Sequence, residues 1–159
     1  MKLLAIDPGV EKVGYALFEK KVNGTVSFQY LSSGLIKTSK TLEQGKRLEH
    51  IFNELKILID ENSIKQVVME RLFFFKNAKT VIFVAQAQGI IELLSAQYTI
   101  PLTYLTPLQI KEIITGYGKA DKKAVQKMID LTLKQEITVA DDDESDAIAC
   151  GLAFCFLKY

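Results

Sequence analysis

The chain has 159 residues, 48% of them hydrophobic and 25% charged, which suits one soluble domain with its own core. No apolar run is long enough for a bilayer, and Met1-Lys2 running into a strand lacks the form of a signal peptide, so the expected location is the cytoplasm, with no membrane partner. A net charge of +1 gives no global pull on nucleic acid, and two cysteines with a single histidine leave little for a disulfide framework, a multi-histidine metal site or a Ser-His-Asp triad.

Leu3-Leu4-Ala5-Ile6 is an apolar run without polar alternation, the pattern of a strand buried on both faces. It ends in Asp7-Pro8-Gly9. Proline cannot donate to a sheet ladder and glycine permits a turn, so Asp7 is expected at the carboxyl end of a central strand. Open α/β sheets place their ligands at that edge. Val13 to Phe18 reads as a second strand, with Gly14 marking a close backbone approach. Val22-Asn23-Gly24-Thr25 is a hairpin signal, and Thr25 to Lys37 reads as the third strand of an antiparallel meander.

Thr41 to Asn62 carries Leu42, Leu48, Ile51, Phe52, Leu55, Leu58 and Ile59 at helical spacing, with His50 on the surface side. Lys65 to Glu70 is again a buried strand that ends in an acid. A strand reached through a helical crossover lies parallel to its predecessor, so Asp7 and Glu70 should meet at one sheet edge. Arg71, Phe73, Phe74, Phe75, Lys76, Asn77 and Lys79 follow at once, aromatic and basic residues interleaved beside that edge. Ala78 to Ala96 is a helix too apolar for one buried face, which suggests packing against the sheet and against a second copy of the chain.

Ile100 to Leu105 reads as a short last strand, and Thr106-Pro107 caps and starts a helix through Ile114. The turn Gly116-Tyr117-Gly118 leads to another helix ending near Leu133, and Lys111, Lys119, Lys122, Lys123 and Lys127 cluster around it. Asp141-Asp142-Asp143-Glu144-Ser145-Asp146 introduces a final helix from Ala147 to Leu157, which holds Cys150 and Cys155 as small buried hydrophobes. Acids favour a helix N-terminus, but only one or two of them can cap it. Asp143 and Asp146 share a face that continues toward the core.

Asp7, Glu70, Asp143 and Asp146 brought together would repel one another, and a hard divalent cation relieves that repulsion. All-oxygen ligands favour Mg²⁺, with Mn²⁺ able to substitute. Two ions about 3.5–4 Å apart suit an in-line phosphoryl displacement. Lysines for phosphate and aromatic rings for bases complete the pattern of a metal-dependent nuclease.

Over nearly its whole length the chain resembles the RuvC family of bacterial Holliday-junction resolvases. The likeness is carried, in order, by Ile6-Asp7-Pro8-Gly9, Gly14-Tyr15, Glu70 with Phe73-Phe74 and Lys76-Asn77, Gln86-Ala87 and Gly89. It continues through Thr106-Pro107-Leu108, Lys111, Thr115-Gly116-Tyr117-Gly118, Ala120-Asp121-Lys122, Val125-Gln126, Asp143 and Asp146-Ala147-Ile148-Ala149. The resemblance implies a ribonuclease-H-like α/β fold with a mixed five-stranded sheet, three antiparallel strands followed by two parallel ones, flanked by helices. It implies a homodimer that makes paired symmetric nicks in four-way junction DNA during recombination and repair, with a branch-migration motor complex as a candidate partner. Asp7, Glu70, Asp143 and Asp146 would hold two Mg²⁺ ions per site, Lys111 and Lys122 would support catalysis, and Phe73 would stack on junction bases. Phe74, Arg71, Lys76, Asn77, Lys79, Tyr117, Lys119 and Lys123 are the further candidates for DNA contact.

Arg71, Phe75 and Gln88 depart from the family pattern, as does the near-neutral charge. These bear on junction affinity and cleavage preference and leave the carboxylates intact. Two alternatives share the opening motif: a ribonuclease-H-like nuclease that processes ribosomal RNA precursors, and an actin-like nucleotide-binding domain. Residues 1–159 are expected to form a single nuclease domain.

Overall fold

β1 (Lys2–Asp7) runs through the middle of the sheet. The structure is a computed structural model describing all residues except 24, 72–77, 135–138, 140 and 158–159; the side chains of 22, 23, 25, 26 and 78–80 also lie outside it. The other strands are β2 (Lys12–Asn23), β3 (Thr25–Lys37), β4 (Gln66–Glu70) and β5 (Leu102–Leu105), in the spatial order β3-β2-β1-β4-β5. β1 to β3 pair antiparallel, while β4 joins β1 and β5 joins β4 in parallel. The mixed five-stranded sheet expected from the sequence is therefore present.

β1 is buried on both faces because layers of helix cover both. Leu3 and Ala5 point into one core with Ala16, Phe18 and Val68, against α3 (Pro107–Thr115), α4 (Lys122–Leu133) and α5 (Asp142–Phe156). Leu4 and Ile6 point into the other core with Val13, Val67 and Met69, against α1 (Gln44–Asn62) and α2 (Ala78–Gln97). Successive strand residues alternate between faces. Asp7 therefore falls on the side of Leu3 and Ala5, and Glu70 on the side of Val68, both toward α5.

α5 lies close on the sheet because two glycines admit it. A Cβ on Gly14 would collide with the Asp143 carbonyl, and one on Gly151 would lie 2.9 Å from the Ala5 Cβ. At the far end of the helix, the buried Lys20 donates from Nζ to the carbonyls of Leu157 at 2.5 Å and Phe154 at 3.3 Å. The Leu157 amide also donates to the Phe154 carbonyl at 3.2 Å, so a backbone cap and a lysine inside the sheet layer together close the helix.

Several boundaries differ from expectation. α1 begins at Gln44 instead of Thr41. The Thr41 amide donates to Ser39 Oγ at 3.2 Å, a side-chain turn that competes with helix, and Leu42 is left 47% exposed instead of joining the apolar stripe. β2 continues past Phe18 to Asn23, because Glu19, Lys20 and Lys21 all have β3 partners. α5 begins at Asp142, well before Ala147, since the Asp141 side chain caps it by accepting from the Asp143 amide at 3.4 Å. The Gly24 turn lies outside the described residues. α2 buries Ala87, Ile91 and Leu94 within this chain but leaves Ile82 57%, Phe83 41% and Leu93 51% exposed. Among the described residues no helix is long and apolar enough to cross a membrane.

Candidate active site

Strand register brings the first two acids together. β1 and β4 pair in parallel up to Ile6↔Met69, so the next step sets Asp7 beside Glu70. On the other side of β1, Asp7 pairs with Gly14. Gly14 is where the backbone of Asp143 presses on the sheet. One missing side chain thus links Asp7 to Asp143, and one turn of α5 carries the same face on to Asp146.

The electrostatics report this convergence. Burial pushes the Asp7 carboxyl up to about 8, helped by the charges of Glu70, Asp146 and Asp143 and opposed by Lys122. Burial pushes Glu70 up to about 7, with Asp146 adding to the rise and Lys111 and Lys122 opposing it. Asp143 and Asp146 are also raised, first by burial. Beneath them sits the buried thiol of Cys150, raised well above its usual value by burial and then by the charges of Glu70, Asp7 and Asp146. It stays a neutral thiol under the acids.

The lysines meet the acids from the helical side. The capping box of Thr106 with Gln109, and Pro107 at the first position, fix the start of α3, which carries Lys111. Asp121 caps α4 by accepting from the Ala124 amide at 2.8 Å, which makes Lys122 the first helical residue. Lys122 Nζ lies 3.0 Å from Asp142 and 3.6 Å from Asp146. An open cleft of about 840 Å³ runs between these helices, lined among others by Glu70, Lys111, Lys122, Lys123, Gln126 and Asp146.

The four acids share one field, but their side chains do not form a finished cage. Among the described residues no three histidine, cysteine or acidic side chains are close enough together to hold an ion. Lys122 lies against Asp146 and Asp142 on the α5 side of the four acids. The donor set still fits a hard divalent ion. Its groups are oxygen donors, and burial, with repulsion between neighbouring acids, raises two of them toward neutrality.

Other expected residues fall in different places. The Arg71 guanidinium lies over the Tyr104 ring, 5.8 Å from its centroid, at the β5 edge of the sheet and away from the cleft lining. Tyr117 (61% exposed) and Lys119 project from the α3–α4 turn and do not line the cleft. Phe73, Phe74, Phe75, Lys76 and Asn77 lie outside the described residues, as does the Lys79 side chain.

The sequence reading missed four supports of the site. Lys12 pairs with Asp141, the cap of α5. Gln88 donates from Nε2 to the Glu70 carbonyl at 3.2 Å, so this departure from the family pattern touches the backbone that carries an acid. Gln126 accepts from Ser145 Oγ at 2.9 Å and donates to Asp130 at 2.9 Å, tying α4 to α5 beside Lys122 and Asp146. Glu144 is buried and accepts from Ser33 on β3 at 2.6 Å. Gln126 lies within the family pattern and Gln88 departs from it, Glu144 sits in the acidic run with nothing to single it out, and Lys12 carries no signal in spacing.

Comparison with known proteins agrees with this geometry along the whole chain. The family model of the crossover junction endodeoxyribonuclease RuvC matches residues 3–155. Relatives of that description from Thermosipho melanesiensis and Petrotoga mobilis are 42% and 43% identical over 155 residues. Both alignments cover 98% of this chain, and 96% and 92% of the respective relatives. The structure of Thermus thermophilus RuvC in complex with Holliday junction substrate matches in fold, with a TM-score of 0.89 at 23% identity over 98% of this chain and 93% of that one. The matched span takes in both acid-tipped strands, the lysine-bearing helices and the acidic start of α5, and the chain belongs to the crossover junction endodeoxyribonuclease RuvC family.

Proposed function

We propose that this chain is a single-domain nuclease that resolves four-way DNA junctions in the cytoplasm by paired symmetric nicks. The observation that carries it is the set of half-buried, raised carboxylates where one sheet edge meets α5, faced by two lysines. Divalent-metal dependence belongs to the family. For this chain the ions are Mg²⁺, two per site, with Mn²⁺ as a substitute, held by Asp7, Glu70, Asp143 and Asp146. Bound there, they supply Lewis-acid activation of water and charge for the leaving oxygen.

The chain's own residues do the rest. Lys122, paired with Asp142 and Asp146 at the start of α4, would supply positive charge to the scissile phosphate. Lys111, within the field of Glu70 and Asp146, offsets charge on the same phosphate. Lys123, Lys119 and Tyr117 follow the backbone away from the cut, and Arg71, Lys76, Asn77 and Lys79 engage the other side. Phe73 stacks on bases opened at the crossover, with Phe74 as its neighbour in the loop. The exposed Ile82, Phe83 and Leu93 of α2 pack against a second copy, which matches the two-fold of the substrate. A branch-migration motor would deliver the junction to that dimer. The ribosomal-RNA and actin-like alternatives are displaced by the family match over residues 3–155.

The test is incubation with labelled four-way, three-way and linear DNA and Mg²⁺. Symmetric nicks confined to the four-way junction, absent with EDTA, support the proposal. Equal cutting of linear duplex, or cutting in EDTA, refutes it.

A further inference from the structure

β2 and β3 do not pair evenly. Leu17 pairs with Ser32 and Phe18 with Tyr30, so Leu31 is the extra residue of a bulge. Tyr30 and Ser33 are an odd number of positions apart, and in a regular strand they would face opposite sides. The bulge turns both to the α5 face. Tyr30 packs edge-on to Phe18 with ring centroids 5.6 Å apart, and its hydroxyl meets Ser33 Oγ at 2.8 Å. Ser33 Oγ in turn donates to Glu144 Oε1 at 2.6 Å. Glu144 is only 7% exposed and stands between Asp143 and Asp146 on α5.

A buried carboxylate in a first helical turn could be satisfied by helix amides, as Asp141 is. Glu144 reaches sideways across β2 to a hydroxyl that a bulge has aimed at it. Gly14 brings the helix backbone onto the sheet. That contact limits how near α5 can come but does not by itself fix its rolling about the helix axis, which Lys12 on Asp141 and Gln126 on Ser145 restrain only from the helix start and from α4. A side-chain tether from Glu144 to the outer strand opposes that rolling, and rolling is the motion that would carry Asp143 and Asp146 past Asp7 and Glu70.

We propose that Glu144 is a positioning residue, and that the Glu144–Ser33–Tyr30 relay sets the roll of α5 and so the spacing of its two acids from those of the sheet. The relay rests on the reading of those acids as the metal site, and the experiment separates the two. Mn²⁺ binding to DNA-free protein is measured by electron paramagnetic resonance, junction affinity in EDTA by gel shift, and kcat and KM by cleavage. Glu144→Ala and Ser33→Ala should each weaken Mn²⁺ binding about tenfold, the scale seen when outer supports of metal ligands are lost. Junction affinity in EDTA should hold, and the double variant should be no worse than the weaker single one. Glu144→Gln keeps the acceptor for Ser33 and should restore Mn²⁺ binding to within about twofold of wild type.

If the alanine variants bind Mn²⁺ normally and only melt earlier, or if Glu144→Gln falls as far as Glu144→Ala, the relay does not position the site. Should Glu144→Ala fail to fold, Ser33→Ala, which loses one hydroxyl from a half-buried strand position, decides alone. Asp7→Asn is run beside them. If it binds Mn²⁺ and cuts as wild type does, the metal-site reading has failed; if it is inert while the alanine variants behave as wild type, only the relay has failed.

Discussion

Asp7→Asn should make the metal-free protein more stable while ending catalysis. The Asp7 carboxyl stands at about 8 in the fold, against an ordinary value of 3.8. A carboxyl raised by folding holds its proton more tightly in the native state than in the unfolded one. Its stabilising contribution is therefore complete below the unfolded value and is lost as pH rises through the folded one. Within that window the loss is about 1.4 kcal/mol per pH unit, or ~3 kcal/mol between pH 5 and pH 7. For a domain of this size that is roughly 6–12 °C in Tm. Asn cannot ionise, so the variant escapes the loss. Thermal melts in EDTA should superpose for wild type and variant near pH 4 and diverge upward in favour of the variant toward pH 8. Adding Mg²⁺ should raise the wild-type melt at neutral pH and leave the variant unmoved. A variant that melts at or below wild type throughout this range in EDTA would show that Asp7 is not held against its own charge.

Three further outcomes are expected. Leu93→Glu, on the exposed face of α2, should convert a micromolar dimer to monomer by sedimentation and abolish paired nicking; a wild type already monomeric and active would refute the α2 interface. Phe73→Ala should slow junction cleavage about tenfold, one lost base–ring stack, with an unchanged melt and with rescue by bases left unpaired at the crossover. Gln126→Ala should lower stability by about 1–2 kcal/mol in urea titration by orphaning Ser145 and Asp130, and an unchanged midpoint would mean the α4–α5 bridge is idle.

Much of this site was legible because its first half is written in strand grammar. An apolar run that stops at an acid, a helix, and a second such run can be read without a structure, and parallel pairing then sets Asp7 beside Glu70. Gly14 was legible as a close approach, though not what approached it. The acidic run was harder. Six successive residues, five of them acidic, offer several equivalent caps, so the choice of Asp141 and the start at Asp142 depended on Lys12, which is remote in sequence. The bulge at Leu31 was hidden because the third strand alternates only in part. Without that bulge Ser33 points elsewhere and does not meet Glu144. Leu42 misled because periodicity does not register a Ser-Thr turn.

α5 covers Ala5, Ala16 and Phe18 with the same residues that bring Asp143 and Asp146 to the strands. Closing the core and completing the cutting edge are therefore one event. A ribosome making this chain exposes Asp7 and Glu70 long before α5 emerges, and until then the sheet has an open apolar face and half a set of acids. A chain that has not yet docked α5 lacks both the cover of its core and half of its four acids, so its least stable form is also the one without a complete site.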